Sequence, residues 1–146
     1  PVVFVHGIGG NASDFEQHRN YFIDHGYSSD ELYATTYGDP SLIDLWNMTL
    51  SCTFFRQFHD FIVAIAKYAR SKVDVVGYSG GALIARKAIL GGMCADTDEN
   101  IGSNLTSLVS CFRFCSIIIF SSIRAVDTKG NTFCKQTNPS PSKLPV

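Results

Sequence analysis

The stretch that most constrains the fold is VDVVGYSGGALIARKAIL, residues 73–90. A β-branched run leads into a glycine-rich turn, and a run with helical character follows it. This order predicts a nucleophile elbow, with the pattern G-x-S-x-G at residues 77–81. Gly77 and Gly81 lack a Cβ, so the strand and the helix can approach closely. The turn presents Ser79 at the first turn of a helix, where backbone N–H groups favour a developing negative charge.

The remaining pattern alternates strands with helices. Strands are predicted at residues 2–5, 31–36 and 73–76, and helices at residues 13–25, 54–70 and 81–90. Ser13 and Glu16 form an S-x-x-E capping box for the first helix, and Gly26 provides its C-terminal cap. Strands that alternate with helices predict an α/β fold, a parallel sheet with helices on both faces.

The pattern fades towards the end of the chain. Residues 105–123 contain strand-forming residues without a clean period, and residues 128–146 are rich in Thr, Asn, Ser, Lys and Pro. We therefore expect a partial α/β domain over residues 1–110 and a divergent, poorly ordered segment over residues 111–146. Residues 41–53 are compatible with a lid but do not require one.

Charge argues against a nucleic-acid-binding protein, and the length of the apolar stretch near the end of the chain argues against a membrane-spanning segment there. The net charge is −1 and there is no basic run, which excludes a typical nucleic-acid-binding protein. The apolar stretch at residues 114–120 lies between Arg113 and Arg124 and is too short to cross a bilayer. The chain begins at Pro1 rather than methionine, so we expect a processed form or a fragment.

The cysteines and the glycosylation motifs point to secretion. There is no CxxC pair and no adjacent histidine, so we expect disulfides and no metal site. The sequence does not determine which cysteines pair, and the odd number leaves one unpaired or joined to another chain. The five are Cys52, Cys94, Cys111, Cys115 and Cys134. N-glycosylation sequons begin at Asn11, Asn47 and Asn104, which is a mild indication of a secreted protein.

A second glycine-rich turn, His6-Gly7-Ile8-Gly9-Gly10, follows the first predicted strand. It should lie beside the elbow, because the carboxyl ends of parallel strands share one edge of the sheet. A backbone N–H in this loop could stabilise an ester oxyanion, a contribution typically worth about 10²–10³ in rate. A phosphate-binding loop is the alternative, but neither G-x-G-x-x-G nor G-x-x-x-x-G-K-[ST] occurs.

The segments PVVFVHGIGG, DELYATTYGD and VDVVGYSGGALIARKAI resemble the class 2 lipases of the α/β-hydrolase superfamily, which include small secreted bacterial lipases and nematode relatives. The likeness covers roughly residues 1–110. It implies that Ser79 is the nucleophile and that the backbone N–H groups of Ile8 and Gly80 form the oxyanion hole. His6 matches a loop-shaping histidine. The resemblance also implies a secreted hydrolase of lipid or fatty-acyl esters that contacts lipid interfaces transiently and needs no metal or organic cofactor.

The catalytic acid and base are not identified in this chain. In the superfamily they follow the serine, the acid first and the histidine second. Every histidine here precedes Ser79. Asp96 and Asp98 come too early for the acid, and the surroundings of Asp127 do not match the family.

None of the four upstream histidines is expected to serve Ser79. His6 has a role in its loop, His18 lies on a buried stripe, His25 ends a helix, and His59 is expected to face solvent. A serine hydrolase without its base keeps only about 10³–10⁴-fold over water. We therefore expect a truncated α/β-hydrolase that is weakly active or inactive. A shortened gene model, a retained intron or an alternative splice form would each produce the divergent end.

Two other functions stay open. The chain could be a catalytically dead, secreted hydrolase-like protein that binds lipid or a protein partner. It could also be a non-hydrolase α/β domain in which G-x-S-x-G arises by chance, although agreement between two motifs argues against this.

Overall fold

The computed structural model describes residues 1–38, 50–95 and 97–115. The predicted lid region lies mostly outside these residues, as do Asn47, Asp96, Asp127 and the predicted irregular tail beyond position 115. Within these residues the strands are β1 (Val2–Val5), β2 (Leu32–Ala34), β3 (Val73–Tyr78) and β4 (Val109–Cys115). The α-helices in the same part of the chain are α1 (Glu16–Asp24), α2 (Cys52–Ala69) and α3 (Gly80–Leu90).

The strands form one parallel sheet in the order β2-β1-β3-β4. The chain runs from β1 outward to β2, returns across β1 to β3, and continues outward to β4. The direction of winding therefore reverses between β1 and β3. In open parallel sheets this reversal leaves a crevice at the carboxyl ends of the two strands, the usual place for a ligand.

The side chains of β1 alternate between two apolar layers, as a strand buried on both faces requires. Val3 and Val5 pack towards α2 and α3, whereas Val2 and Phe4 pack towards Phe15 and α1. The predicted α/β fold, a parallel sheet with helices on both faces, is confirmed.

Helix α2 buries the apolar stripe that its sequence predicts. Phe58 and Ile62 are fully buried against the sheet, and Ile65 is nearly so. The helix starts two residues earlier than predicted, because the Ser51 side chain accepts a hydrogen bond from the backbone N–H of Thr53 at 3.2 Å.

The predicted capping box of Ser13 and Glu16 is wrong. The cap is Asn11, whose Oδ1 accepts the N–H of Ser13 at 2.8 Å. The carboxylate of Asp14 accepts the N–H of Asn11 at 3.0 Å. A 3₁₀ turn over Ala12–Phe15 therefore precedes α1. The short Asn and Asp side chains form the same reciprocal pair as a capping box, two residues earlier than predicted.

The outer strands differ most from prediction. β2 is three residues long rather than six, and β4, which was not predicted, runs parallel to β3 with an irregularity near Val73 and Asp74. The expected domain boundary at position 110 falls inside β4. Sequence periodicity could not reveal β4, because its backbone hydrogen bonds depend on pairing with a strand far away in the sequence.

The expected disulfide bonding is present: Cys52 at the start of α2 is joined to Cys94 in the loop after α3. Cys111 is also disulfide-bonded. Among the residues that the structure describes, no helix is long and apolar enough to cross a membrane.

Candidate active site

Ser79 occupies the sharp turn between β3 and α3. Its backbone has φ 50° and ψ −124°, a conformation that costs a non-glycine residue about 1–3 kcal/mol. Ser79 is the N-cap of α3, but its side chain makes no capping hydrogen bond. The residue is only partly buried. The turn thus holds the hydroxyl at the crevice without engaging it in the helix cap.

The two outer glycines of the elbow stand where a Cβ would meet backbone. A Cβ at Gly77 would lie 2.5 Å from the Cα of Ala82 in α3. A Cβ at Gly81 would overlap the carbonyl groups of Val5 and His6 at the end of β1. These close approaches fix the start of α3 against the carboxyl ends of both β1 and β3.

The structure places the loop over residues 6–10 directly beside the elbow. A Cβ at Gly7 would lie 3.3 Å from the Cβ of Ser79. A Cβ at Gly80 would lie 2.6 Å from the Cγ1 of Ile8. The two glycine-rich turns predicted to meet at one edge of the sheet are therefore in contact.

The backbone N–H groups of Ile8 and Gly80 have no acceptor within the described residues. Gly80 is the first residue of α3, so its N–H has no partner inside the helix. Free donors at a helix N-terminus favour an anion. The two donors belong to residues in contact, and Gly80 directly follows Ser79.

His6 is buried, and both of its ring nitrogens have partners. Nδ1 lies 2.7 Å from the carbonyl oxygen of Gly7, and Nε2 accepts the backbone N–H of Tyr37 at 3.1 Å. The ring is therefore neutral, with its proton on Nδ1. Burial lowers the pKa of His6 below its ordinary 6.5, opposed by the Gly7 hydrogen bond and by Asp14. His6 thus shapes its loop through hydrogen bonds, and neither nitrogen is free to receive a proton from Ser79.

Residues 36 and 37, which follow β2, hold the loop over residues 6–10 and the turn after it in place through hydrogen bonds. The Tyr37 hydroxyl donates to the carbonyl of His6 at 2.7 Å, and burial raises the pKa of Tyr37 to about 12. Thr36 Oγ1 accepts the N–H of Ala12 at 3.1 Å, and Gln57 Nε2 donates to the Thr36 carbonyl at 3.2 Å. Thr36 and Tyr37 are positioning residues that the sequence pattern does not reveal. The one available signal was their place at the end of a predicted strand.

The other histidines lie elsewhere. His59 was expected to face solvent, and this is wrong: it is 7% exposed, with Nε2 3.0 Å from the carbonyl oxygen of Ser103. His18 is partly buried against Phe15, and His25 hydrogen-bonds through Nδ1 to the carbonyl oxygen of Tyr21 at 2.7 Å.

No hydrogen bond joins any histidine to Ser79 in the described parts of the chain. Asp98 lies in the loop beyond the far end of α3 from Ser79. Residues 1–38, 50–95 and 97–115 also contain no cluster of His, Cys, Asp and Glu side chains that could hold a metal ion.

Two comparisons with known proteins bear on this site. The family model of the class 2 lipases matches residues 1–139. The crystal structure of Bacillus licheniformis lipase BlEst2 in its mature form superposes with a TM-score of 0.51 at 18% sequence identity. That match covers 78% of this chain and 39% of the Bacillus chain, so the chain spans well under half the length of that structure.

Proposed function

The chain belongs to the class 2 lipase family, and from this premise we propose that it carries a carboxylic-ester hydrolase site in which Ser79 is the nucleophile. One observation supports this proposal above the others. The strained turn at Ser79 lies beside the loop of Ile8, and Ile8 contacts Gly80, the residue directly after the serine.

In the proposed reaction, the Ser79 oxygen attacks the carbonyl carbon of an ester and loses its proton to a base. The carbonyl oxygen becomes an oxyanion and accepts hydrogen bonds from the backbone N–H groups of Ile8 and Gly80. The alcohol then leaves with a proton, and water hydrolyses the acyl-serine to release the acid. Each oxyanion donor is worth about 10²–10³ in rate, since it is already in place before charge develops.

No base is assigned, because all four histidines precede Ser79 in the sequence and none bonds to it among the described residues. A serine site with an oxyanion hole but no base keeps about 10³–10⁴-fold over water. We therefore propose that this chain alone is weakly active or inactive, and that full activity requires an acid and a histidine supplied by additional sequence.

Family membership supports lipid or fatty-acyl esters as the substrate class, with transient contact at a lipid interface. The disulfide between Cys52 and Cys94 supports a secreted location, because disulfides persist mainly in oxidising compartments. The proposed chemistry uses no metal or organic cofactor.

The second candidate is a catalytically dead, secreted protein that binds lipid or a protein partner. It is favoured by the engagement of His6, whose ring nitrogens both bind backbone groups. The two candidates differ in one measurable property, the reactivity of the Ser79 hydroxyl.

The test is covalent labelling with an alkyl fluorophosphonate, read by intact mass and peptide mapping. It compares this chain with a longer form whose coding sequence continues in frame with an Asp and then a His. We expect strong labelling at Ser79 in the longer form, weak labelling in this chain, and none in Ser79→Ala. Ser71→Ala, at an exposed serine after α2, is the matched control and should label as the parent does. Absence of label from both folded forms would eliminate the esterase proposal and leave the binding protein.

A further inference from the structure

We propose that Asn104, in the loop between α3 and β4, is an N-glycosylation site. It opens the sequon Asn104-Leu105-Thr106. Asn104 and Thr106 are exposed, whereas Leu105 between them is 3% exposed and packs in the main core. The N–H of Leu105 donates to the carbonyl of Ile89 at 2.7 Å. The backbone of the sequon is therefore held on the body of the protein while both of its polar side chains stay accessible.

The local turn leaves the amide nitrogen of Asn104 available, so the folded protein can carry a glycan there. Asn104 Oδ1 accepts the backbone N–H of Thr106 at 2.8 Å, which forms an Asx turn. The turn uses only the amide oxygen. Asn104 Nδ2, the atom that would carry the sugar, has no partner among the described residues. Glycosylation at Nδ2 keeps Oδ1 as an acceptor, so the modified side chain can retain this turn.

The transfer needs a lipid-diphosphate-linked oligosaccharide as co-reactant. Asn104 Nδ2 forms a bond to the anomeric carbon of the first sugar, and the bond from that carbon to the diphosphate oxygen breaks. The lipid diphosphate leaves with the electron pair, and Nδ2 gives up one proton. The asparagine and the sugar are neither oxidised nor reduced.

Asn104 is favoured over the other described sequon, at Asn11. Asn11 Oδ1 also accepts the N–H of the hydroxyl residue two positions on, Ser13. That residue lies inside the 3₁₀ turn, and the N–H of Asn11 is bound to Asp14. Asn11 also directly follows the loop over residues 6–10, which contacts the turn at Ser79.

A glycan on Asn104 would stand away from the elbow. Ser79 precedes α3, whereas the Asn104 loop contacts the last turn of this 11-residue helix. The two lie about 16 Å apart along the helix axis, at 1.5 Å per residue. Cys94, in the same loop, is disulfide-bonded to Cys52, which indicates the oxidising compartment in which such a transfer takes place.

Asn100 provides a matched control. Its Oδ1 accepts the N–H of Gly102, two residues on, at 3.0 Å, and it too is exposed. It shares the turn geometry of Asn104 but lacks the hydroxyl residue at the third position. Trypsin cleavage after Lys87 and Arg113 places both asparagines on one peptide, 88–113.

The experiment expresses the chain behind a cleavable leader in eukaryotic secretory cells. Protein from lysate and medium is treated with peptide N-glycosidase in ¹⁸O water, and peptide 88–113 is sequenced by mass spectrometry. Because the oligosaccharide is transferred before the chain folds, variants that are retained in the cell still show whether position 104 is modified. We expect ¹⁸O-aspartate at position 104 and unmodified Asn100. The label should be lost in Asn104→Gln and Thr106→Val and kept in Thr106→Ser. Unmodified Asn104 in leader-processed protein overturns the proposal, whatever the reactivity of Ser79.

Discussion

The hydroxyl of Tyr37 donates a hydrogen bond to the carbonyl of His6 at 2.7 Å, while the two rings stack with centroids 4.1 Å apart. The backbone N–H of Tyr37 donates in turn to His6 Nε2. Three contacts thus join Tyr37, three residues after the end of β2, to His6, the residue directly after β1. His6 begins the loop that carries Ile8, so Tyr37 helps to hold the loop of one of the two proposed oxyanion donors.

Replacing Tyr37 by Phe removes the hydroxyl and leaves the buried carbonyl of His6 without that partner. We expect a loss of about 1–3 kcal/mol in the free energy of unfolding, the usual result for an unsatisfied buried polar group. Urea denaturation measures it. Tyr68→Phe is the control, since Tyr68 is 79% exposed and should change stability by less than about 0.5 kcal/mol. Equal effects of the two substitutions would show that the Tyr37 hydroxyl has no structural role.

Acidification should loosen the same pair. Burial lowers the pKa of His6 in the folded protein below its ordinary 6.5, so the unfolded chain binds more protons between these two values. Stability from neutral His6 is therefore complete above about pH 6.5 and is lost as the pH falls through the folded pKa. Protonated Nε2 also cannot accept the N–H of Tyr37.

The measurement is the urea midpoint of the parent and of His6→Gln from pH 7.5 to 4.5. Glutamine does not titrate, so the difference between the two proteins should shrink as the pH falls. His25→Gln is the control, because His25 is exposed. A difference between parent and His6→Gln that stays constant across this range would contradict the assignment of His6 as a buried neutral ring.

The strain at Ser79 predicts that holding the proposed nucleophile in this turn costs stability. Glycine adopts φ 50° and ψ −124° far more readily than serine. We expect Ser79→Gly to be more stable than Ser79→Ala by about 1 kcal/mol, since both lack the hydroxyl and only alanine keeps the Cβ. Thermal and urea denaturation of the two variants provide the comparison. The opposite ranking would mean that the elbow is relaxed.

The close approach at Gly81 should make it intolerant of a side chain. A Cβ there would overlap the carbonyls of Val5 and His6, so alanine must push α3 away from β1. We expect Gly81→Ala to lose about 3 kcal/mol or more. Gly26→Ala is the matched control: no atom lies within 4 Å of its Cβ position. Gly26→Ala should therefore lose only about 1–2 kcal/mol in the free energy of unfolding, because alanine is strained at φ 93°.

The sequence by itself determined the strand, turn and helix around Ser79 and the adjacency of the two glycine-rich turns. The strand, turn and helix are local in the sequence. The two turns are adjacent because the carboxyl ends of parallel strands lie at one edge of the sheet. The run Val2–Val5 is apolar at every position, and α2 carries an apolar stripe at helical spacing. Gly77 and Gly81 mark close approaches that no other residue tolerates.

Only the tertiary structure decided the features that depend on distant partners. The sequence did not distinguish the buried His59 from a surface residue, because its burial depends on Ser103 in a separate loop. β4 forms along β3 without a period of its own, and Cys52 pairs with Cys94 across 42 residues. The role of Tyr37 likewise depends on His6, 31 positions earlier. Periodicity records which face of one element is buried, whereas pairing between elements is fixed when the sheet and its helices assemble.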